Sequence, residues 1–332
     1  MSDTAGAGPV DFEAFGDYTG RPKGAPATAA EFRRPAYPFR GRISADGSTG
    51  FPAEAGRYHL YISWACPWAQ RSAIVRELLG LGDVISLSAV DPIRDGRGWA
   101  FREGDGHGPD PVNGFAFLRE AYEATEPGYD GHMSVPVLWD KQQGRIVSNN
   151  FPDITIDLET QFGQWADPDV DLYPQDRRAE IDELCEQIYT GVNNGVYRAG
   201  FATDQQAYHE AVTEVFATLD RLEQRLAGQR YLLGPALTEA DVRLWVTLAR
   251  FDAVYYPHFK TSLRRLSDYQ NLWAYARDLY ARPAFRDTTN FDHIKRHYFI
   301  TQGAINPTRI VPDGPLLAWD RPHGRDRLPH PA

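Results

Sequence analysis

At 332 residues, with 42% hydrophobic and 24% charged content, the chain has the composition of an ordinary soluble globular protein, long enough for two domains. Its 45 acidic against 35 basic side chains give a formal net charge of −10, which repels phosphate backbones and anionic membranes and argues against nucleic acid as a partner. Two cysteines, Cys66 and Cys185, are too few for a disulfide framework or a cysteine-rich zinc site, and no apolar run approaches the ~18 residues of a membrane span.

The opening residues MSDTAGAGPVDFEAFGDY lack the basic and apolar regions of a signal peptide, so a cytoplasmic protein is expected. Residues 1–57 are rich in Gly, Pro and Ala and predict an extended arm that packs through Phe32, Tyr37 and Phe39. An alternating pattern follows: strand 58–64, helix 67–79, strand 84–90, a long insertion, strands 135–139 and 145–148, and helix 151–162. Gly144 in DKQQGR suits a hairpin turn, and Pro136 sits at a strand start, where its missing N–H is tolerated. This βαβ…ββα order predicts a thioredoxin-like domain over 58–165. From 175 to 301 the pattern is helical, with helices near 175–194, 204–227, 239–255, 268–281 and 292–300, and capping boxes read at Thr203 with Gln206 and Thr238 with Asp241. Residues 302–332 read as a Pro-rich tail too apolar at first to float free. The expected fold is α/β thioredoxin-like followed by all-α.

Cys66 lies where the first strand hands over to a helix, with Pro67 fit for the first helical position. Orphan amides and the helix dipole favour an anion there, which lowers a thiol pKa and predicts a nucleophilic thiolate. The residue three positions on is Gln70, so no local thiol can resolve a disulfide, and Cys66 is expected to form a mixed disulfide with a small mobile thiol. Cys185, mid-helix in IDELCEQIY, reads as structural. His293 and His297, four apart, lack the further ligands of a zinc site and read as solvated helix positions; no metal is expected.

The strings WACPWAQR, DPIRDGRGWAF, VPVLWDK, NNGVYRAGFAT, LTEADVRL, RFDAVYYPHFK, LRRLSDYQNLWAYARDLY, HYF and INPTRIVPDGP occur in this order between about 32 and 315. In them the chain resembles the glutathione transferase superfamily, and within it the glutathionyl-hydroquinone reductases, or Xi class. The resemblance implies that Cys66 attacks the sulfur of a thiol conjugate carried on a hydroquinone, with the freed ring taking a proton from an adjacent acid. It implies Tyr197 and Tyr298 as catalytic phenols, Tyr255 as a further wall of the hydroquinone pocket, Trp99 over the thiol, and the Val135 backbone pairing with its peptide beside a cis Val135-Pro136 bond. It further implies a low-molecular-weight thiol as co-substrate and a homodimer.

The chain departs from the family where glutathione is held. The family usually begins the helix after its fourth strand with Glu-Ser, whereas here Asn150-Phe151 stand; its Arg before VTVP is His132 in GHMSVP. Each lost charge-assisted bond costs ~1.5 to 3 kcal/mol, so together the changes weaken glutathione by about a thousandfold. Retained catalytic residues with altered ligand residues point to a different thiol, such as sugar-bearing mycothiol, whose hydroxyls and carbohydrate face suit Asn150 and Phe151. Two other readings stay open: an omega-like thiol transferase or dehydroascorbate reductase that keeps Cys66, and a non-catalytic interaction module on the same fold.

Overall fold

The computed structural model describes residues 6–18 and 32–328; parts of the expected arm and tail, at 1–5, 19–31 and 329–332, lie outside the described residues. The chain groups into two compact units. One comprises Met1–Pro26, Pro35–Pro168 and Asn290–Val311, the other Ala27–Arg34, Asp169–Thr289 and Pro312–Ala332. The helix expected near 292–300 therefore groups with the first unit, not with the helical stretch that precedes it.

In the first unit a short helix α1 (Phe12–Phe15) interrupts the arm, its amides capped by Asp11. Next come β1 (Tyr58–Ile62), α2 (Pro67–Leu78), β2 (Ser86–Ala89), α3 (Arg119–Thr125), β3 (Val137–Asp140), β4 (Arg145–Ser148) and α4 (Phe151–Gln161). The sheet order is β2-β1-β3-β4, with β1 parallel to β2 and antiparallel to β3, and β3 antiparallel to β4. A parallel pair needs a crossover, which α2 supplies, and the β3–β4 hairpin turns at Gly144 with φ 63°. β4 has the expected bounds, while β1 ends two residues early, β2 is trimmed at both ends and β3 is shifted to start at Val137, because pairing rather than apolarity decides where a ladder starts and stops. α2 packs on α4 and α3 on β4; α3, inside the insertion, had no separate signal.

Every residue of β1 is buried, His59 included. Its two ring nitrogens sit 2.7 Å from Ser86 Oγ and 2.8 Å from Ser88 Oγ on β2, and burial lowers its pKa to about 4. A depressed folded pKa means that the unfolded chain binds the proton first, so stability is lost as pH falls from 6.5 towards 4. Denaturant titrations are expected to show a His59-dependent loss of about 2 kcal/mol between pH 7 and pH 5, a slope that His59→Asn reduces by that amount.

The second unit holds α5 (Arg178–Ile188), α6 (Gly195–Gly200), α7 (Gln205–Arg225), α8 (Glu239–Arg250), α9 (Gln270–Tyr280) and α10 (Pro283–Arg286). The expected helix at 175–194 is three pieces: a 3₁₀ turn, α5, and a π-helical turn at Tyr189–Asn193 that leads into α6. A second π turn, Phe251–Tyr255, ends α8. The Thr238–Asp241 capping box is present, and Asp241 also accepts from Leu232 N and Tyr275 Oη. The box read at Thr203 is not. Asp204 caps α7, accepting from Ala207 N at 2.9 Å, since a carboxylate at a helix N-terminus gains from the dipole as well as the bond. The tail packs on this unit through Trp319, against Trp245, Trp273 and Tyr280.

Candidate active site

β1 ends at Ile62 and α2 begins at Pro67, leaving Cys66 as the N-cap, extended at φ −81°, ψ 119°. Its carbonyl accepts the first helical bond from Gln70 N at 3.0 Å, while Pro67 removes one amide that would have no intrahelical partner. Cys66 is 9% exposed, and its thiol donates to the Val135 carbonyl oxygen at 3.5 Å. The cysteine thus meets the Val135-Pro136 peptide, which is cis. Cys185 is buried in α5, and neither cysteine is in a disulfide.

The chain before Val135 is held by two phenols that sequence reasoning did not single out. Tyr122 of α3 donates to Ser134 O at 2.7 Å and accepts from Ser134 N at 3.0 Å; Tyr18 does the same for Met133, at 3.1 and 3.2 Å. Burial raises both pKa values, so both phenols keep their donor protons. His132 is partly exposed, its Nδ1 3.3 Å from the Tyr18 hydroxyl. Trp99 is buried and stacks on His297 of α11 (Phe291–Thr301), ring centroids 5.0 Å apart, with the Arg94 guanidinium 4.5 Å from its ring.

Asn150 stands at the N-cap position of α4, and its side-chain amide donates to Asp153 Oδ2 at 2.5 Å instead of accepting from a helix amide. A carboxylate therefore remains at this end of α4, one turn later than in the family pattern, and Arg40 and Arg42 lie 3.8 and 3.7 Å from it. Phe151 is 3% exposed, packed between the Trp68 and Tyr37 rings with Arg71 over its face.

The solvated reading of His293 and His297 is corrected, since both are buried. His293 Nε2 reaches the Asp105 carbonyl and His297 Nδ1 the Pro92 carbonyl, each at 2.7 Å, so α11 turns these rings onto the insertion and not to water. Among the described residues no group of three or more His, Cys, Asp or Glu is placed to hold a metal ion. Tyr298, beside His297 on the same helix, is 1% exposed.

In the second unit Tyr197 of α6 and Tyr255 of the π turn come together, centroids 5.9 Å apart, with Phe259 against both at 5.4 Å. Gly200 makes this packing possible: a Cβ there would stand 2.2 Å from the Phe259 ring. Phe32 lies 6.0 Å from Tyr197, and the Arg34 guanidinium sits 4.8 Å from the Tyr197 ring while Nε donates to Asn194 Oδ1. π turns widen a helix by one residue and recur at functional sites; here one supplies Tyr255 and the other feeds the helix bearing Tyr197.

A strand–cysteine–helix junction in a four-stranded thioredoxin-like sheet, followed by a helical unit, is the design of a glutathione transferase. Residues 205–278 match the family model for the glutathione S-transferase C-terminal domain. The chain is 48% identical over 307 residues to the glutathionyl-hydroquinone reductase YqjG of Escherichia coli, covering 90% of this chain and 94% of that protein. The glutathione-bound structure of YqjG superposes with a TM-score of 0.85, covering 87% of this chain and 96% of the other. The glutathionyl-hydroquinone reductase PcpF of Sphingobium chlorophenolicum is 44% identical over 289 residues, covering 87% and 91%. The Xi glutathione transferase of Phanerochaete chrysosporium superposes with a TM-score of 0.83 at 48% identity, covering 86% and 98%. The chain belongs to the glutathione transferase family, in its glutathionyl-hydroquinone reductase or Xi branch, and is an enzyme of that family.

Proposed function

We propose that this enzyme reduces S-conjugates of hydroquinones through a Cys66 mixed disulfide, and that its thiol is a sugar-bearing one such as mycothiol rather than glutathione. The observation that carries the first part is Cys66 at the N-cap of α2, where the helix dipole favours an anion. The Cys66 thiolate attacks the conjugate's sulfur, forming the S–S bond. The carbon–sulfur bond breaks with its electron pair left on the ring, which takes up a proton; on the family resemblance the donor is a tyrosine, Tyr197 or Tyr298. A second thiolate then attacks the mixed disulfide, releasing a small disulfide and the Cys66 thiolate, while the tyrosinate is reprotonated from that thiol. The ring carbon is reduced and two thiol sulfurs are oxidised.

The second part rests on the ligand side. Asn150 carries no charge and has its amide turned to Asp153, Phe151 has no hydroxyl, and His132 stands where the family uses a guanidinium. Glutathione's ammonium loses a carboxylate partner and its carboxylates lose a hydroxyl and a guanidinium, whereas hydroxyl-rich thiols need none of them. Assembly as a homodimer in the cytoplasm belongs to the same reading, on the family resemblance. Reduction of the purified Cys66 mixed disulfide by each thiol in turn tests it: mycothiol is expected to act about 10²- to 10³-fold faster than glutathione at equal low concentration. Faster reduction by glutathione would contradict the altered thiol and leave the reductase chemistry standing.

A further inference from the structure

Between Ala7 and Asp17 the N-terminal segment is bound to the insertion and, at Asp17, to Arg309. Asp11 N donates to Asp95 Oδ2 at 3.0 Å, Arg97 donates to the carbonyls of Ala7 and Pro9 at 2.9 and 2.6 Å, Gly96 N donates to Gly16 O at 2.8 Å, and Asp17 pairs with Arg309 at 2.6 Å. The approach is close enough that a Cβ on Gly96 would lie 2.0 Å from the Phe15 carbonyl oxygen, so glycine is required there. These bonds deliver Tyr18 to a point where it touches two things at once. Its hydroxyl pairs both backbone groups of Met133, two residues before Val135. Its ring receives the Arg94 guanidinium at 4.2 Å, and the same guanidinium lies 4.5 Å from the Trp99 ring. The hydroxyl also lies 3.3 Å from His132 Nδ1.

We infer that Tyr18 is a positioning residue that sets the grip on the thiol co-substrate, fixing through its hydroxyl the 132–135 segment and through its ring the Arg94–Trp99 stack. The inference rests on the reading above that the thiol lies along Val135 and under Trp99. Its physical basis is the entropy of binding: walls already ordered in the free enzyme are not ordered at the ligand's expense.

The test uses the full chain with Tyr18→Phe, which keeps the ring on Arg94 and removes only the hydroxyl, and Tyr18→Ala, which removes both. With mycothiol and, in parallel, glutathione as the varied thiol, Tyr18→Phe is expected to raise KM about 5-fold and Tyr18→Ala about 20-fold, with kcat within about twofold of the parent. Amide exchange is expected to speed up over 132–135 in both variants and over 91–101 in Tyr18→Ala alone. KM values within twofold of the parent for both thiols would overturn the proposal, as would a drop in kcat with KM unmoved. Trp99→Ala separates the inference from its premise. If that variant leaves the thiol KM unchanged, Trp99 does not cover the thiol, and Tyr18→Phe then decides through the 132–135 side alone. Should Tyr18→Ala fail to fold, the hydroxyl variant still decides.

Discussion

Cys66→Ser is expected to abolish conjugate cleavage, with a loss of at least ~10³-fold, because serine at the same N-cap is a far weaker nucleophile near neutrality and cannot form the S–S bond. The fold should survive, since a hydroxyl is a favoured N-cap group and the side chain is almost isosteric. Steady-state release of hydroquinone from an S-conjugate, together with thermal unfolding of the same preparation, checks both halves. Retained cleavage at more than about a tenth of the parent rate would remove Cys66 from the chemistry.

Tyr197→Phe is expected to slow carbon–sulfur cleavage by about 10²-fold while leaving reduction of small disulfides within about twofold, because only the first reaction needs a proton delivered to a ring carbon. The ring cluster with Tyr255, Phe259 and Phe32 keeps its apolar contacts in the variant, so the loss reports the hydroxyl. Parallel assays on an aryl conjugate and on a mixed disulfide of the same thiol make the comparison. Rates on both substrates that are indifferent to the substitution would favour the omega-like reading, in which Cys66 works without a phenol.

The junction that bears Cys66 was legible because its causes are local: an apolar strand, a proline fit for the first helical turn, and a cysteine between them. The βαβ…ββα order was legible for the same reason. What escaped depends on distance along the chain or on bonds that do not alter the apolar rhythm. Tyr18 acts on Met133, 115 residues away, and Tyr122 sits in a helix of seven residues inside a loop-like insertion. The π turns at Tyr189–Asn193 and Phe251–Tyr255 look like continuous helix to a 3.6-residue pattern, since one extra residue per turn leaves the hydrophobic face nearly in place. His293 and His297 looked solvated because nothing local announces the carbonyls of Asp105 and Pro92 that receive them. Phe151, read as a sugar platform, is wrapped by Trp68 and Tyr37, whose positions lie in two other segments.

Single-turnover mass analysis tests the central claim most directly. Enzyme mixed with one equivalent of an S-hydroquinone conjugate, without free thiol, and quenched before intact-mass and peptide measurement, is predicted to carry one thiol per chain on Cys66, with hydroquinone released in equal amount. Hydroquinone released while Cys66 stays unmodified, or a thiol found on Cys185 instead, would contradict it.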